Sequence, residues 1–153
     1  MTEILIYKTI LEYFAIEELV GPRVAHRYGN RALRFFDLRL LETIIFIRTK
    51  RDKPIHANNY KWGGNLSQRG LRENTCQIVK DKTLENKMYL SAHVLGKGID
   101  FNIEGETAEQ TRQWLKEKAD DLPFKIRLEA GVNWVHLDTI WEDKNPKVYI
   151  FNP

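Results

Sequence analysis

Hydrophobic and polar residues follow different periodicities at the two ends of the chain. Over the first third, apolar residues recur three or four positions apart, which places them on one face of a helix. Over the last third, apolar and polar residues alternate, as they do in strands with one buried face. We therefore expect an N-terminal helical part over residues 1–52 and a sheet-containing core over residues 53–153.

Two helices are predicted in the N-terminal part. The first covers residues 4–20 and is expected to end at Gly21-Pro22, because this pair is a helix-stop signal. The second covers residues 30–50, with Asn30 as its N-cap and Asp52-Lys53-Pro54 as its stop. The apolar faces of both helices are expected to be core.

The middle of the chain has weaker patterns. Residues 54–59 are predicted to form a short strand, and residues 61–87 a long loop with one short helical turn, because apolar periodicity is poor there. Residues 89–103 are expected to form a strand, a glycine-containing bend and a second strand. A helix then begins after Thr107, with Gln110 in the capping-box position.

A β-hairpin is predicted near the end of the chain, over residues 124–139. Gly131-Val132 fits a two-residue turn of type II′, because glycine is favoured at its first position. This turn pairs Glu129 with Trp134 and Arg127 with His136. One face of the hairpin is then apolar, and the other carries five polar or aromatic side chains: Arg127, Glu129, Trp134, His136 and Asp138.

Residues 148–151 are expected to add an edge strand. Helices that are segregated from a mostly antiparallel sheet define the α+β class. We therefore predict a single α+β domain over residues 1–153, with a small antiparallel sheet packed against helices and carrying the functional site.

The composition is that of an ordinary globular domain, with 153 residues, 42% hydrophobic and 29% charged. The net charge of +3 is small and the basic residues are dispersed, so we expect no nucleic-acid partner. No run reaches the roughly 18 apolar residues of a membrane span, so we expect none. Cys76 is the only cysteine, which excludes a thiolate metal cluster.

Two segments carry the candidate chemistry. His93 and Asp100 lie seven residues apart with two glycines between them, and a bend there lets both side chains face one ion. His136 follows in the predicted hairpin. Two histidines and one carboxylate, with a fourth position open to water, are what a catalytic zinc site requires.

A candidate general base lies beside these ligands. In the predicted hairpin Glu129 and His136 are diagonal neighbours, about 7–8 Å apart at the backbone, so the carboxylate and the metal ligand can share one water. Asp138 is the other candidate. We favour Glu129 because of this hairpin geometry.

These segments resemble a family of zinc peptidases. The family comprises D-Ala-D-Ala carboxypeptidases, D-Ala-D-Ala dipeptidases and phage L-Ala-D-Glu endopeptidases, and it shares its fold with the hedgehog signalling domain. Its pattern S-x-H-x-x-G-x-A-x-D is matched at Ser91, His93, Gly96 and Asp100. Gly98 stands where alanine is usual, and Trp134-Val-His136 matches a later element. The resemblance covers about residues 54–140.

The resemblance implies roles for several residues. His93, Asp100 and His136 would bind one Zn²⁺ ion. The stretch Arg69-Gly-Leu-Arg72 corresponds to the family's S-G-x-R segment, so Arg72 would stabilise the oxyanion of a tetrahedral intermediate.

One departure from the family concerns the catalytic glutamate. It commonly sits three residues before the last histidine, where this chain has Asn133, whereas Glu129 lies seven residues before it. Glu129 remains the predicted base. Ser91, Trp134 and Asp138 are candidates for binding substrate or for supporting the metal ligands.

The function implied by the resemblance is hydrolysis of peptide bonds in peptidoglycan stem or crossbridge peptides. The small single-domain form without a signal peptide suggests a phage or prophage enzyme, active in lysis or in degrading the wall, and we expect a monomer. The N-terminal residues lack the features of a secretory signal peptide, so we expect synthesis in the cytoplasm and action after release or on a virion.

A second hypothesis belongs to a different class. Because the glutamate is displaced relative to the family pattern, the domain would bind metal without hydrolysing peptides. It would then serve as a phage structural module or a wall-binding module.

Overall fold

The N-terminal third is helical, as its periodicity predicts, but its helices begin and end at other residues. The computed structural model describes residues 1–153. The first predicted helix is two helices, because Phe14 and Ala15 are extended. Gly21-Pro22 begins the next helix, where proline is favoured because its missing N–H is not needed. These helices are α1 (Glu3–Tyr13), α2 (Ile16–Leu19) and α3 (Pro22–Tyr28).

The second predicted helix begins later than expected. Asn30 lies inside a 3₁₀ helix (Gly29–Phe35) and is not an α-helical N-cap. The α-helix α4 (Leu38–Arg51) begins after Asp37, whose carboxylate accepts a hydrogen bond from the Arg39 N–H at 2.8 Å. It ends at Asp52, as its stop signal predicts.

The remainder of the chain contains five strands, two α-helices and two short 3₁₀ helices. The strands are β1 (Ile55–His56), β2 (Gly98–Ile103), β3 (Ile126–Glu129), β4 (Val135–Asp138) and β5 (Val148–Phe151). The helices are α5 (Gln77–Leu84) and α6 (Ala108–Glu117), and the 3₁₀ helices are Tyr60–Trp62 and Ala119–Asp121. The predicted capping box of Thr107 and Gln110 is confirmed.

The sheet has the strand order β1-β2-β4-β3-β5. All pairs are antiparallel except β3 with β5, which are parallel, so the sheet is mixed and the expected antiparallel sheet is wrong in this respect. The α+β class is confirmed. No helix is both long enough and apolar enough to cross a membrane.

The sheet has an apolar face and a polar face. Ile99, Phe101, Leu128 and Leu137 on the apolar face are almost fully buried. They belong to one buried cluster that also contains residues of α1, α4 and α6. The polar face carries the side chains that the sequence singles out, so burial of one face fixes the orientation of the other.

The hairpin between β3 and β4 has the predicted faces but not the predicted register. Arg127 is paired with Asp138 and not with His136, a shift of two residues that keeps every side chain on its expected face. The connection is the longer loop 130–134. Its backbone carbonyls at Val132 and Trp134 accept hydrogen bonds from the Arg112 guanidinium, both at 3.0 Å. These bonds hold the loop open, which excludes the two-residue turn.

The predicted first strand of residues 89–103 is also wrong. Residues 92–96 form a turn that is closed by hydrogen bonds from the Leu95 N–H to Ser91 and from the Lys97 N–H to Ala92. Residues 61–87, predicted as a loop with one helical turn, contain the eight-residue helix α5.

Candidate metal centre

Three candidate ligands, His93, Asp100 and His136, meet at one point on the polar face of the sheet. Each offers one ligand atom, and these atoms lie within 4.8 Å of one another. Their exposed fractions are 3%, 6% and 8%, so all three are buried. Buried titratable groups that converge in this way could hold a metal ion.

The sheet register positions two of the three residues. Asp100 on β2 is the direct partner of His136 on the antiparallel strand β4. Side chains of direct partners project from the same face of a sheet, so their polar atoms meet. Nδ1 of His136 lies 2.8 Å from Oδ1 of Asp100.

His93 reaches the centre from the turn that precedes β2. Its Nε2 lies 3.2 Å from Oδ1 of Asp100, and its Nδ1 lies 2.8 Å from the carbonyl oxygen of Gly70. A carbonyl oxygen only accepts hydrogen bonds, so Nδ1 carries the proton and donates it. Nε2 of His93 is then the atom directed at the shared point, where it contacts Asp100 and where a metal ion would bind.

In His136 the two ring nitrogens exchange roles compared with His93. Its Nε2 lies 2.9 Å from Oδ2 of Asp138, so Nε2 donates and Nδ1 faces Asp100. Each imidazole therefore has one nitrogen fixed by an oxygen acceptor and the other directed at the shared point. A metal-binding histidine almost always has its second nitrogen held in this way.

Asp138 does not face the centre as a free carboxylate. It is fully buried and receives two hydrogen bonds from Arg127, at 2.8 and 3.0 Å, in addition to that from His136. A carboxylate committed to a guanidinium and an imidazole is a poor proton acceptor. Of the roles predicted for Asp138, its position therefore favours support of the metal ligand His136 over the role of general base.

The charges around the centre favour a cation there. Burial alone would raise the pKa of Asp100, but its hydrogen bonds with His136 and His93 outweigh burial and hold the pKa well below its usual range. Burial would lower the pKa of His136, but the hydrogen bonds to Asp100 and Asp138 outweigh it and raise the pKa to about 9. In the absence of metal, a proton on Nδ1 of His136 takes the place of that cation.

Arg72 lies against the same group. Its guanidinium is 3.4 Å from Oδ2 of Asp100 and donates to the Tyr89 hydroxyl at 2.7 Å and to the Gln68 carbonyl at 2.8 Å. These contacts fix the planar group at the rim of the centre. Tyr89 was not singled out in the sequence, because a lone tyrosine in a segment without periodicity gives no signal.

Glu129 lines the cavity of about 400 Å³ that opens beside the three candidate ligands. Continuation of the β3–β4 register places it opposite His136 rather than at the predicted diagonal. Arg127, the cation on the same strand, pairs with Asp138 and not with Glu129. The Glu129 carboxylate is half-buried and is left without an ion pair.

The other predicted site residues lie in the wall of this cavity. Ser91 and Trp134 both line it. The Ser91 hydroxyl accepts a hydrogen bond from the Val94 N–H at 3.4 Å, which supports the turn that carries His93. Phe151 also lines the cavity, with its ring edge-on to His136 at a centroid distance of 5.9 Å. From its sequence position, Phe151 was expected only as part of an edge strand.

Glycines provide the space that the centre needs. A Cβ at Gly98 would lie 2.7 Å from Cβ of Ala92 and 3.4 Å from Cε1 of His136, so a side chain would crowd the centre. A Cβ at Gly96, where φ is +67°, would lie 2.0 Å from the carbonyl oxygen of Phe35. The turn carrying His93 is thus packed directly on the N-terminal helical part.

Gly70 makes a second close contact with the N-terminal part. A Cβ there would lie 1.8 Å from the carbonyl oxygen of Leu19. The Leu71 N–H donates to this same oxygen at 2.9 Å, and Leu71 forms an isolated bridge with Val20. Because the Gly70 carbonyl holds His93, residues 1–52 help to position a metal ligand, although no motif in them predicts this.

Comparison of the chain with protein-family models, with curated proteins and with solved structures found no match. The assignment of a candidate metal centre therefore rests on this chain's own geometry.

Proposed function

We propose that the protein is a zinc-dependent peptidase that hydrolyses peptide bonds of peptidoglycan, as a phage-derived wall-degrading enzyme of carboxypeptidase or endopeptidase type. The observation that carries the proposal is the convergence of His93, Asp100 and His136 beside a cavity that also contains an unpaired carboxylate, Glu129. The resemblance of their sequence pattern to the zinc peptidases supplies the substrate class.

The donor set fits zinc. Imidazole nitrogen is a borderline donor and carboxylate oxygen a hard donor, and catalytic zinc sites use both. Such sites keep a further coordination position open. The open position would face the adjoining cavity, which His93, Asp100 and His136 all line. A zinc ion, when bound, supplies Lewis-acid chemistry that polarises a carbonyl group and lowers the pKa of water.

The chain's own residues would supply proton transfer, stabilisation of the oxyanion and orientation of the metal ligands. Glu129 accepts the proton of the attacking water and passes it to the nitrogen of the leaving amine. Arg72 donates hydrogen bonds to the oxygen on which negative charge develops. Asp138 and Gly70 hold the two imidazoles in the required tautomers.

The test combines metal analysis with a digest. Bound metal in the purified protein is measured by elemental mass spectrometry. Peptidoglycan treated with the protein is examined for new amino groups and cleaved stem peptides. We expect about one zinc per chain and cleavage at one type of peptide bond. The Glu129→Gln variant should keep the zinc and lose at least about a hundredfold in turnover.

A matched control is Glu12→Gln, because Glu12 is exposed on α1 and remote in sequence from the centre. It should retain both zinc and turnover. Zinc without any cleavage by the wild-type protein would contradict the peptidase and favour the non-catalytic metal-binding module.

A further inference from the structure

A second and larger cavity, of about 700 Å³, adjoins the metal centre. Its size is within the range of small-molecule and peptide pockets. Arg72 lines both cavities, and Val94 and Leu95, which line the larger one, directly follow His93 in the chain. We call the larger cavity the arginine cavity, after Arg23 and Arg27 on its α3 wall.

The arginine cavity is positively charged. Arg23 and Arg27 are four residues apart on α3, so both project toward the same side of the helix. Neither forms an ion pair with a carboxylate, and the Arg27 guanidinium lies over the Tyr28 ring, 5.5 Å from its centroid. The carboxylate that lines the cavity, Glu73, is occupied by the backbone N–H and hydroxyl of Thr75, both at 2.6 Å.

The same cavity has apolar walls that are open to solvent. Phe35 is 40% exposed and Leu95 is 45% exposed, although both are large hydrophobic residues. Val24 and Leu71, which are buried, also line the cavity. An exposed apolar surface bordered by unpaired cations fits a ligand that carries both an apolar group and a negative charge.

We propose that the arginine cavity binds a carboxylate-bearing, partly apolar segment of the peptide substrate, so that Arg23 and Arg27 select acidic peptides. In this assignment the N-terminal helical part supplies a specificity subsite, while the sheet supplies the metal centre. The assignment of the bound peptide as a substrate rests on the proposed peptidase function. The binding itself depends only on the cavity.

The test measures binding separately from hydrolysis. Zinc-loaded protein with Glu129→Gln, which is expected to bind without turnover, is titrated with acetyl-Leu-Glu-Ala-amide and with the glutamine analogue, and backbone amide shifts are followed by NMR. We expect the glutamate peptide to bind about fivefold more tightly, the upper range for exposed ion pairs. The shifts should concentrate at Val24, Leu71 and Leu95.

Charge removal at the two arginines should abolish this preference. In Arg23→Gln/Arg27→Gln the affinity ratio of the two peptides should fall to about one. The matched control Arg34→Gln removes an exposed arginine that does not line the cavity, and it should keep the ratio. Both arginines of the double variant are exposed, so the fold should persist, as circular dichroism would verify.

Three results would overturn the inference: no binding of either peptide, a preference that survives loss of both arginines, or amide shifts confined to residues outside the cavity. Failure of the peptidase function would instead appear as absence of peptidoglycan cleavage by the wild-type protein. That result would leave the binding measurements intact, so the two failures are distinguishable.

Discussion

Asp100 and His136 are direct partners across the antiparallel β2–β4 pair, with Oδ1 of Asp100 2.8 Å from Nδ1 of His136. The third candidate ligand, His93, joins them from a turn that is anchored through Gly70 and Gly96 to the N-terminal helices. The centre is therefore built on the most regular part of the sheet and completed by a tightly packed turn.

Replacement of either histidine should remove the metal. His93→Ala or His136→Ala leaves two ligands of three, so we expect zinc content to fall from about one per chain to near zero after dialysis. His26→Ala is the matched control, because His26 is exposed on α3 and should leave the zinc in place. The measurement is elemental analysis of the dialysed proteins. Stoichiometric zinc in both ligand variants would refute the assignment.

Asp138→Asn should weaken metal binding without removing a ligand. Asp138 holds Nε2 of His136, and loss of such a partner typically lowers metal affinity about 10- to 100-fold. Zinc titration by calorimetry measures the change, with circular dichroism to verify folding because the Arg127 pair is also disturbed. The exposed Asp143→Asn variant should bind zinc as the wild type does. Unchanged affinity in Asp138→Asn would show that His136 is positioned by other contacts.

The stability of the metal-free protein should fall as pH rises. His136 has a pKa raised from 6.5 to about 9, because its hydrogen bonds to Asp100 and Asp138 outweigh burial. Its protonation therefore stabilises the fold fully below pH 6.5, and this stabilisation is lost as pH rises through 9. We expect the free energy of unfolding to fall by at most about 3 kcal/mol across this range.

Urea denaturation at a series of pH values, with a chelator present, measures this dependence. With saturating zinc the dependence should disappear, because metal on Nδ1 of His136 replaces the proton. A metal-free protein whose stability is constant or increases between these pH values would contradict the assigned hydrogen bonds.

Gly70→Ala should destabilise the protein and weaken the centre. The added Cβ would lie 1.8 Å from the Leu19 carbonyl oxygen, so the backbone that holds His93 must move. We expect a loss of more than about 2 kcal/mol in thermal or urea unfolding. Gly21→Ala is the control, because its Cβ would be 3.5 Å from the nearest atom, an ordinary contact, and it should cost less than about 1 kcal/mol. Equal effects of the two variants would contradict the close contact.

The sequence predicts the parts of this fold that depend on periodicity. The faces of β3 and β4 follow from alternation, and burial of Leu128 and Leu137 fixes them whatever the register. The register itself differs because Arg112 binds two carbonyls of the connecting loop that lie 20 and 22 residues away in sequence. A contact between such separated residues leaves no local pattern.

The candidate ligands were predictable from residue type and spacing, whereas the residues that hold those ligands in position were not. His93 was expected on a strand, but the turn that carries it is set by packing of Gly96 against Phe35, far away in sequence. The partners Gly70 and Tyr89 likewise act through tertiary contacts. The helical boundaries differed for a simpler reason, since Asp37 is the better cap than Asn30 once the 3₁₀ helix intervenes.

The most direct measurement is an anomalous difference map from crystals grown with zinc, collected at the zinc absorption edge. The account predicts one strong peak per chain, about 2.0–2.2 Å from Nε2 of His93, Nδ1 of His136 and a carboxylate oxygen of Asp100. A fully zinc-equilibrated crystal with no peak among these three residues, or with its only peak elsewhere, would contradict it.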